Sequence, residues 1–289
     1  MQRKIGLAIT TRNRREDAQY CIQRILQHTV AEKVVIVDDS SEEPFECNDP
    51  RAKVIYNAER LGIAKSKNIC LRELRDYDHI FLFDDDCFPL KSGFENAYID
   101  TARALGYPAL NFTWQSKHNG NEIYYHRVIE REHKMRRYVE FKRESIEIPL
   151  GSFPSEEWLR DLKCVKHETS FWDTHRIVDI PEFSVKIHEN PHGCMLYLSR
   201  EAIDAIGGYD EDYGIYGAEH ADLFRRLYNM GKIRKLYPDL DNSLEFLDSL
   251  DRDGSAKRSS LTLEERIEAL MHAESIAEKN MHSKKFIRI

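Results

Sequence analysis

The length, composition and charge of the chain indicate a globular protein with a substantial core and a highly charged surface. Its 289 residues, 41% hydrophobic and 32% charged, suffice for one or two domains. The net charge of −7 argues against nonspecific coating of nucleic acid, and no apolar stretch reaches the roughly 18 residues of a membrane span. The six cysteines include no CxxC pair, which argues against a zinc knuckle or a disulfide framework and favours a reduced, cytoplasmic compartment.

Strands and helices are predicted to alternate through the first 114 residues. Short apolar runs predict buried strands at residues 5–10, 34–37, 53–56, 79–83 and 109–114. Apolar residues at helical spacing predict helices after the first strand and near residues 63–74 and 94–105. The first helix is expected to have Asn13 as its N-cap, with Glu16 at the capping-box position. This alternation predicts an α/β fold with a mostly parallel sheet and helices on both faces.

The second half of the chain shows clear periodicity only after residue 190. The predicted elements there are a strand at 193–198, a helix between Ser199 and Gly207, a helix at 218–230 and an appended C-terminal helix at 263–280. Thr262 and Glu265 form a capping box for the last helix, whereas the acidic stretch from 238 to 253 is expected to be irregular.

Polar residues follow three of the predicted parallel strands. They are Thr10, Thr11 and Arg12, then Asp38 and Asp39, then Asp84, Asp85 and Asp86. Ligands of open α/β sheets bind beyond the carboxyl ends of the strands, so these residues are expected at one site. Three adjacent aspartates repel one another unless a cation lies among them, and Mg²⁺ or Mn²⁺ with a phosphate-bearing ligand fits. A solvated acidic turn is the alternative, which the apolar strand in front makes less favourable.

Positive charge is available beside these strand ends. Arg60 and Lys65 flank Gly62 and would bind a diphosphate. Asp38 and Asp39 would accept hydrogen bonds from a base N–H or a ribose. These residue types together predict a pocket for a metal-bound nucleoside diphosphate.

The same motifs, in this order, resemble those of a known family. Residues 8–14, 36–41, 61–68 and 83–86 read AITTRNR, IVDDSS, LGIAKSKN and FDDD. Together they resemble the N-terminal half of a family 2-type glycosyltransferase, a family with the Rossmann-like GT-A fold. The resemblance implies a nucleotide-sugar donor, most often a UDP-sugar, and Mn²⁺ or Mg²⁺ on the DxD motif.

The resemblance also implies roles for the matching residues. Those implied at the nucleotide sugar are Thr10, Thr11, Arg12, Asp38, Asp39, Arg60, Gly62, Lys65, Asp84 and Asp85. Asp38 or Asp39 would contact the base, and Asp84 or Asp85 the ribose. The metal would be held by the outer pair of the motif, Asp84 and Asp86, with Asp86 the first choice as a direct ligand. Some relatives add a downstream histidine, for which the candidates are His188, His192 and His220.

A second resemblance covers residues 207–223, which read GGYDEDYGIYGAEHADL. This run is similar to the acceptor-side segment of galactosyl- and N-acetylgalactosaminyl-transferases, where a Glu-Asp pair begins a helix. Here the pair is Glu219-His220. The resemblance implies Glu219 as the base that takes the proton of the acceptor hydroxyl, with His220 and Asp222 as further candidates. A carboxylate at a helix N-terminus is held in place by the backbone, which suits that role.

The segment from residue 124 to 143 is locally basic. It carries seven basic and three acidic residues with four interleaved aromatic side chains, on a protein of net charge −7. A solvated charged helix would explain this pattern. The functional interpretation is an anionic acceptor, such as a nucleic acid, a phosphorylated lipid head group or an acidic glycan. The arginines expected to bind it are Arg127, Arg131, Arg136 and Arg137.

These observations predict a metal-dependent glycosyltransferase that moves a sugar from a nucleotide-diphosphate sugar to an acceptor hydroxyl, for example on a hydroxylated base in DNA. Glycan- or lipid-directed transfer, and a nucleotide-binding module without turnover, remain alternatives. The predicted organisation is a GT-A catalytic domain over residues 1–250 and a helical extension over 251–289. Within the domain, residues 1–114 form the donor half, 115–190 an acceptor-side insertion and 191–250 the acceptor half.

Overall fold

The computed structural model of the chain describes residues 3–112, 117–118, 121–122, 177–180, 185–189, 195–233, 236–239, 246–250 and 261–289. Its strands are β1 (Ile5–Thr11), β2 (Lys33–Asp38), β3 (Ala52–Tyr56), β4 (His79–Asp84), β5 (Cys87–Pro89), β6 (Ala109–Phe112), β7 (Lys117–His118), β8 (Asn121–Glu122), β9 (Ile177–Ile180), β10 (Val185–Glu189), β11 (Met195–Ser199), β12 (Leu236–Asp239) and β13 (Leu247–Ser249). Its helices are α1 (Arg15–His28), α2 (Ile63–Glu73), α3 (Phe94–Leu105), α4 (Arg200–Ile206), α5 (Glu219–Asn229) and α6 (Leu263–Lys279), with a 3₁₀ turn at Glu211–Tyr213.

A six-stranded sheet in the order β3-β2-β1-β4-β11-β6 forms the centre of the fold. The first four strands of this order are parallel, and β11 runs antiparallel to both of its neighbours. The prediction of a mostly parallel sheet is confirmed. The register places Thr10 beside Asp84 and Thr11 beside Asp38, so the ends of β1, β2 and β4 lie at one edge.

Helices cover both faces of the sheet, as predicted. One core contains Ile22 of α1 and Phe94 of α3. The other contains Leu71 of α2, Ile203 of α4 and Leu223 of α5. The strands are apolar on both faces because each face is buried under helices, as is usual for parallel sheets.

The start of α1 differs from the prediction. Asn13 is in the left-handed region with φ +51° and is not the N-cap, and Arg14 occupies that position without a side-chain hydrogen bond. The Asn13 amide oxygen instead accepts a hydrogen bond from the Glu42 backbone N–H at 2.8 Å. Asparagine tolerates this conformation, and its side chain here fixes the loop after β2 rather than the first turn of a helix.

The expectation that residues 238–253 are irregular is wrong at β13. This three-residue strand pairs antiparallel with β5, which follows the aspartate triplet. Neither strand is long enough to show a period in the sequence, and their pairing joins residues about 160 positions apart.

The capping box of Thr262 and Glu265 is confirmed at the start of α6. On the buried side of this helix lie Ala269, Ala273 and Ala277. The segment that follows returns to the body of the protein, where Ile287 forms a parallel bridge with Gly207. No helix within the described residues combines the length and the apolar character needed to cross a membrane.

Candidate functional site

The two aspartates at the end of β2 are occupied by backbone hydrogen bonds. Asp38 is fully buried and accepts the N–H groups of Ser41 at 2.9 Å and Phe45 at 2.7 Å, one on each carboxylate oxygen. Asp39 accepts the N–H groups of Leu61 at 2.8 Å and Gly62 at 2.9 Å, one on each carboxylate oxygen, which fixes the loop before α2. Asp39 is slightly more exposed than Asp38, and contact of either residue with a base stays a prediction.

Two arginines lie near this loop. The Arg12 guanidinium donates to the backbone oxygens of Asp39 and Ser40, both at 3.0 Å. Arg60 is half-buried, and burial together with the charge of Arg12 lowers its pKa. Two adjacent guanidinium groups repel each other, so an anionic group between them would be favoured. This agrees with their predicted place beside a nucleotide.

The middle aspartate of the triplet has a structural role. Asp85 accepts a hydrogen bond from the Thr11 hydroxyl at 2.7 Å and an ion pair from Arg14 at 2.7 Å, and its side chain is only 8% exposed. Burial raises the pKa of Asp85 to about 7, although Arg14 opposes the shift. Asp85 is thus paired with both Thr11 and Arg14, and the contacts of Asp85 and Thr11 with a nucleotide sugar stay predictions.

The outer two aspartates face solvent more openly. The Asp84 and Asp86 side chains are 22% and 20% exposed. Within the described part of the chain, no group of three or more His, Cys, Asp and Glu side chains is arranged to hold a metal ion. Two carboxylates of this exposure, held beside a buried third, nonetheless fit a hard cation that takes its other oxygens from a diphosphate and water.

Lys67 is the lysine of α2 that reaches this edge. It is 1% exposed, and its ammonium lies 2.5 Å from Asp84 Oδ1 and 3.2 Å from His220 Nε2. Lys65 is exposed on α2, and its contact with a diphosphate stays a prediction. The two lysines point apart because residues two positions apart lie on different faces of a helix.

Glu219 and His220 begin α5 next to Asp84 and Lys67. His220 Nε2 lies 3.4 Å from Glu219 Oε1 and 3.8 Å from Asp84 Oδ2. On its other side, His220 Nδ1 lies 3.4 Å from the Tyr209 hydroxyl. One imidazole therefore connects the aspartate triplet on β4 with the carboxyl group at the start of α5.

Burial shifts the ionisation of this pair. It raises the pKa of Glu219 to about 8, with Lys67 opposing the shift. It lowers the pKa of His220 well below its usual value, and the charge of Lys67 adds to this effect. Glu219 Oε2 is buried and has no hydrogen-bond partner among the described residues. A buried acceptor without a partner costs free energy, which a ligand hydroxyl would recover.

Asp222 does not belong to this cluster. It is fully buried and pairs with Arg226 at 2.7 Å, while the Tyr213 hydroxyl donates to it at 3.1 Å. The role of Asp222 as a further candidate for the base stays a prediction. Asp222 lies about one helical turn after Glu219 on α5, and its carboxylate is paired with Arg226.

The segment between α4 and α5 packs against the donor side. Gly62 has φ +89°, and a Cβ on it would lie 2.7 Å from the Gly214 oxygen and from Ile215 Cα. The Asn68 side chain donates to the Tyr209 oxygen at 3.0 Å and accepts the Tyr209 N–H at 2.8 Å. Gly62 is thus a packing requirement between the two halves of the site.

The predicted acceptor arginines, Arg127, Arg131, Arg136 and Arg137, lie outside the described residues, as does His192. For His188 the structure describes the backbone of β10 alone. Sequence reasoning missed Arg14, Lys67 and Tyr209. For Lys67 a signal was present, because Ala64, Lys67, Asn68 and Leu71 share one buried face at helical spacing.

Two family models match the sequence. The model of glycosyl transferase family 2 matches residues 7–154, just over half of the chain, and that of the N-terminal domain of galactosyltransferase matches residues 174–243. No curated protein matched the sequence.

Among solved structures, GalNAc-T7 with UDP, GalNAc and Mn²⁺ is 12% identical with a TM-score of 0.56, covering 95% of this chain and 47% of that one. The mannosyltransferase PcManGT from Pyrobaculum calidifontis, with GDP-Man and Mn²⁺, is 14% identical with a TM-score of 0.45, covering 80% and 54%. TarS residues 1–349 from S. aureus are 12% identical with a TM-score of 0.44, covering 78% and 55%. The chain thus spans about half the length of these proteins.

The likeness to GalNAc-T7 confirms the GT-A fold. The family model extends over the strand ends, the aspartate triplet and α2. The chain belongs to glycosyl transferase family 2.

Proposed function

We propose that the protein transfers a sugar from a nucleoside-diphosphate sugar to an acceptor hydroxyl, with a divalent metal ion on the diphosphate. The observation that carries this proposal is that the aspartates at the end of β4 and Glu219 at the start of α5 lie close together. Asp84 and Glu219 both lie beside His220, with contacts of 3.8 Å and 3.4 Å to its Nε2 atom. Donor activation and acceptor deprotonation require such groups in one site.

The donor side would be held by the strand ends. Asp84 and Asp86 would hold Mn²⁺ or Mg²⁺, which when bound stabilises negative charge on the leaving diphosphate. Arg14 keeps Asp85 paired below them at 2.7 Å, so that the outer carboxylates keep a fixed spacing. Arg12 and Arg60 would place the nucleotide, and Asp39 would contact the base.

The acceptor side would use Glu219 as the base. Its Oε2 atom has no hydrogen-bond partner among the described residues, so it can accept a hydrogen bond from an incoming hydroxyl. With its pKa at about 8, the carboxyl group is mostly protonated at neutral pH and ionises in the alkaline range. The transfer rate is therefore expected to rise with pH and level off above about 8.

A UDP-sugar is the first donor to test. GalNAc-T7 was solved with UDP, GalNAc and Mn²⁺, and this chain shares its fold. The donor can be found by measuring slow hydrolysis of UDP-, GDP- and other NDP-sugars with Mn²⁺, comparing the native protein with Asp86→Asn. Loss of the Asp86 carboxylate is expected to lower turnover at least 100-fold, because a metal ligand is removed. The control is Asp76→Asn, since that side chain is 84% exposed.

The alternative of a nucleotide-binding module gives a different outcome in the same screen, since such a module would bind a donor without turnover. If the native protein neither binds nor cleaves any NDP-sugar, the proposed function is wrong. If turnover survives in Asp86→Asn, the metal role of Asp86 is wrong.

We propose an anionic acceptor on the basis of the basic segment at residues 124–143. The alternatives are neutral glycan and lipid acceptors. Retention on DNA, on phosphorylated lipid vesicles and on acidic glycan should be compared for the native protein and the double variant Arg136→Gln, Arg137→Gln. If the double variant loses retention at low salt on one of these three materials, the result would support that acceptor class. Equal retention by both proteins would contradict the proposal.

A further inference from the structure

Lys67 differs from the other lysines whose ion pairs the structure describes. Lys33 and Lys53 both pair with Glu73, and their side chains are 28% and 51% exposed. The Lys67 side chain is 1% exposed, and its carboxylate partner is Asp84 of the triplet. A buried ammonium requires a charged or polar partner at close range, so this lysine and this aspartate depend on each other.

The second contact of Lys67 is with His220, which brings no negative charge near the ammonium. His220 Nε2 lies 3.2 Å from the ammonium, and an imidazole is neutral or positive. Asp84 is therefore the carboxylate that pairs directly with the Lys67 ammonium.

Two cations lie among the carboxylates at the edge of β4. Arg14 pairs with Asp85 at 2.7 Å and with Asp86 at 3.2 Å, and Lys67 pairs with Asp84. A divalent cation that approaches this edge alone therefore competes with the ammonium for Asp84. A nucleoside diphosphate adds several negative charges at the same place.

We propose that Lys67 is a positioning residue that makes metal binding depend on the nucleotide. Its ammonium holds Asp84 and opposes metal binding in the absence of a diphosphate, so that metal and nucleotide bind together. This inference rests on the proposed function, since it assumes that the metal and the diphosphate share Asp84 and Asp86.

The test is the affinity for Mn²⁺, measured by electron paramagnetic resonance of free Mn²⁺ with and without UDP. The native protein is expected to bind Mn²⁺ at least tenfold more tightly with UDP present. In Lys67→Met, binding of Mn²⁺ alone is expected to tighten about tenfold, so the effect of UDP shrinks. Damage to the fold would weaken binding, so a gain in affinity separates this role from a merely structural one.

Three further variants complete the design. Lys67→Arg keeps the charge and is expected to keep the dependence on UDP. His220→Asp is expected to tighten binding of Mn²⁺ alone, because a second carboxylate would share the lysine. Lys53→Met removes an ion pair of the same type, 2.8 Å long and distant from the triplet, and should change nothing.

The outcomes separate the inference from the function on which it rests. If Mn²⁺ and UDP bind to the native protein and Lys67→Met binds Mn²⁺ no more tightly, the role of Lys67 is contradicted and the proposed function stands. If neither Mn²⁺ nor UDP binds to the native protein in any combination, the proposed function fails, and the inference fails with it.

Discussion

The proposed donor side, at the ends of β1, β2 and β4, and the proposed acceptor side, at the start of α5, are held together in different ways. On the donor side, the hydrogen bonds of Asp39, Asp84 and Asp85 reach partners within residues 11–67. On the acceptor side, α5 and the loop before it are fixed by the end of the chain. Arg226 donates to the Lys285 backbone oxygen at 3.2 Å, and Lys285 pairs with Asp210 at 3.2 Å.

This difference indicates how each side depends on the rest of the protein. The donor edge is an intrinsic part of the parallel sheet, because the register of β1, β2 and β4 brings its residues together. The position of Glu219 depends in addition on the segment that contains α6. His272 on α6 contacts the Asp212 backbone oxygen at 2.7 Å, and Ala273 packs with Ala218 next to Glu219.

The largest effect on stability is expected from Arg226→Met on the acceptor side. Arg226 is fully buried and hydrogen-bonds Asp222, Ile206, Gly208 and Lys285. Its loss leaves Asp222 buried without its cation, which costs about 3–5 kcal/mol of the free energy of unfolding. Thermal and urea denaturation measure this loss. The control Lys232→Met breaks an exposed pair with Glu201 and should cost less than about 1 kcal/mol. Equal costs would show that the acceptor side does not depend on the buried pair.

A smaller effect is expected where the two sides touch. In Gly62→Ala the new methyl group meets the Gly214 oxygen and Ile215 Cα at 2.7 Å, at a residue with φ +89°. We expect a cost on the order of 2–3 kcal/mol and weaker UDP binding, because the loop fixed by Asp39 must move. Gly106→Ala is the matched control, since Gly106 also has a positive φ but has nothing within 4 Å of the added carbon. A cost near 1 kcal/mol in both variants would contradict the close contact of the two sides.

A still smaller effect is expected from pH. The pKa of Glu219 is raised to about 8 in the folded protein, so the folded state binds its proton more tightly than the unfolded state does. The free energy of unfolding should therefore fall as the pH rises from about 5 to 8. Asp85, with its pKa at about 7, contributes in the same direction. Urea denaturation at several pH values should give a shallower slope for Glu219→Gln and an unchanged slope for Glu268→Gln, which alters an exposed residue. The same slope in both variants would contradict the shifted pKa.

Most of the donor side could be predicted from the sequence because its residues follow strands whose pattern is clear. The convergence of the ends of β1, β2 and β4 follows from parallel strand order alone. The protein partners of the individual carboxylates could not be predicted. Asp38 and Asp85 have the residue type of a ligand contact, yet their oxygens accept backbone, hydroxyl and guanidinium donors, and sequence patterns do not show which partner a carboxylate finds.

The acceptor side could be predicted only in part. The helix that begins at Glu219 and its likeness to known transferases were visible in the sequence. The bridge between Gly207 and Ile287 was not. Contacts between residues more than 50 positions apart leave no periodic signal, so the support of α5 by the end of the chain emerges only from the folded structure. Asp222 and Arg226 have the spacing of a helical ion pair, but that spacing does not show that the pair is buried.

The most direct test of the proposed transfer reaction separates donor binding from turnover in Glu219→Gln. UDP and Mn²⁺ should bind to this variant within about threefold of the native affinity, because Asp84, Asp86 and Lys67 are unchanged. Turnover of the donor identified in the NDP-sugar screen should fall by about 10²–10⁴, the usual contribution of a general base. Unchanged turnover, or a loss of turnover fully explained by a loss of UDP binding, would contradict the assignment of Glu219 as the base that acts beside the metal-bound diphosphate.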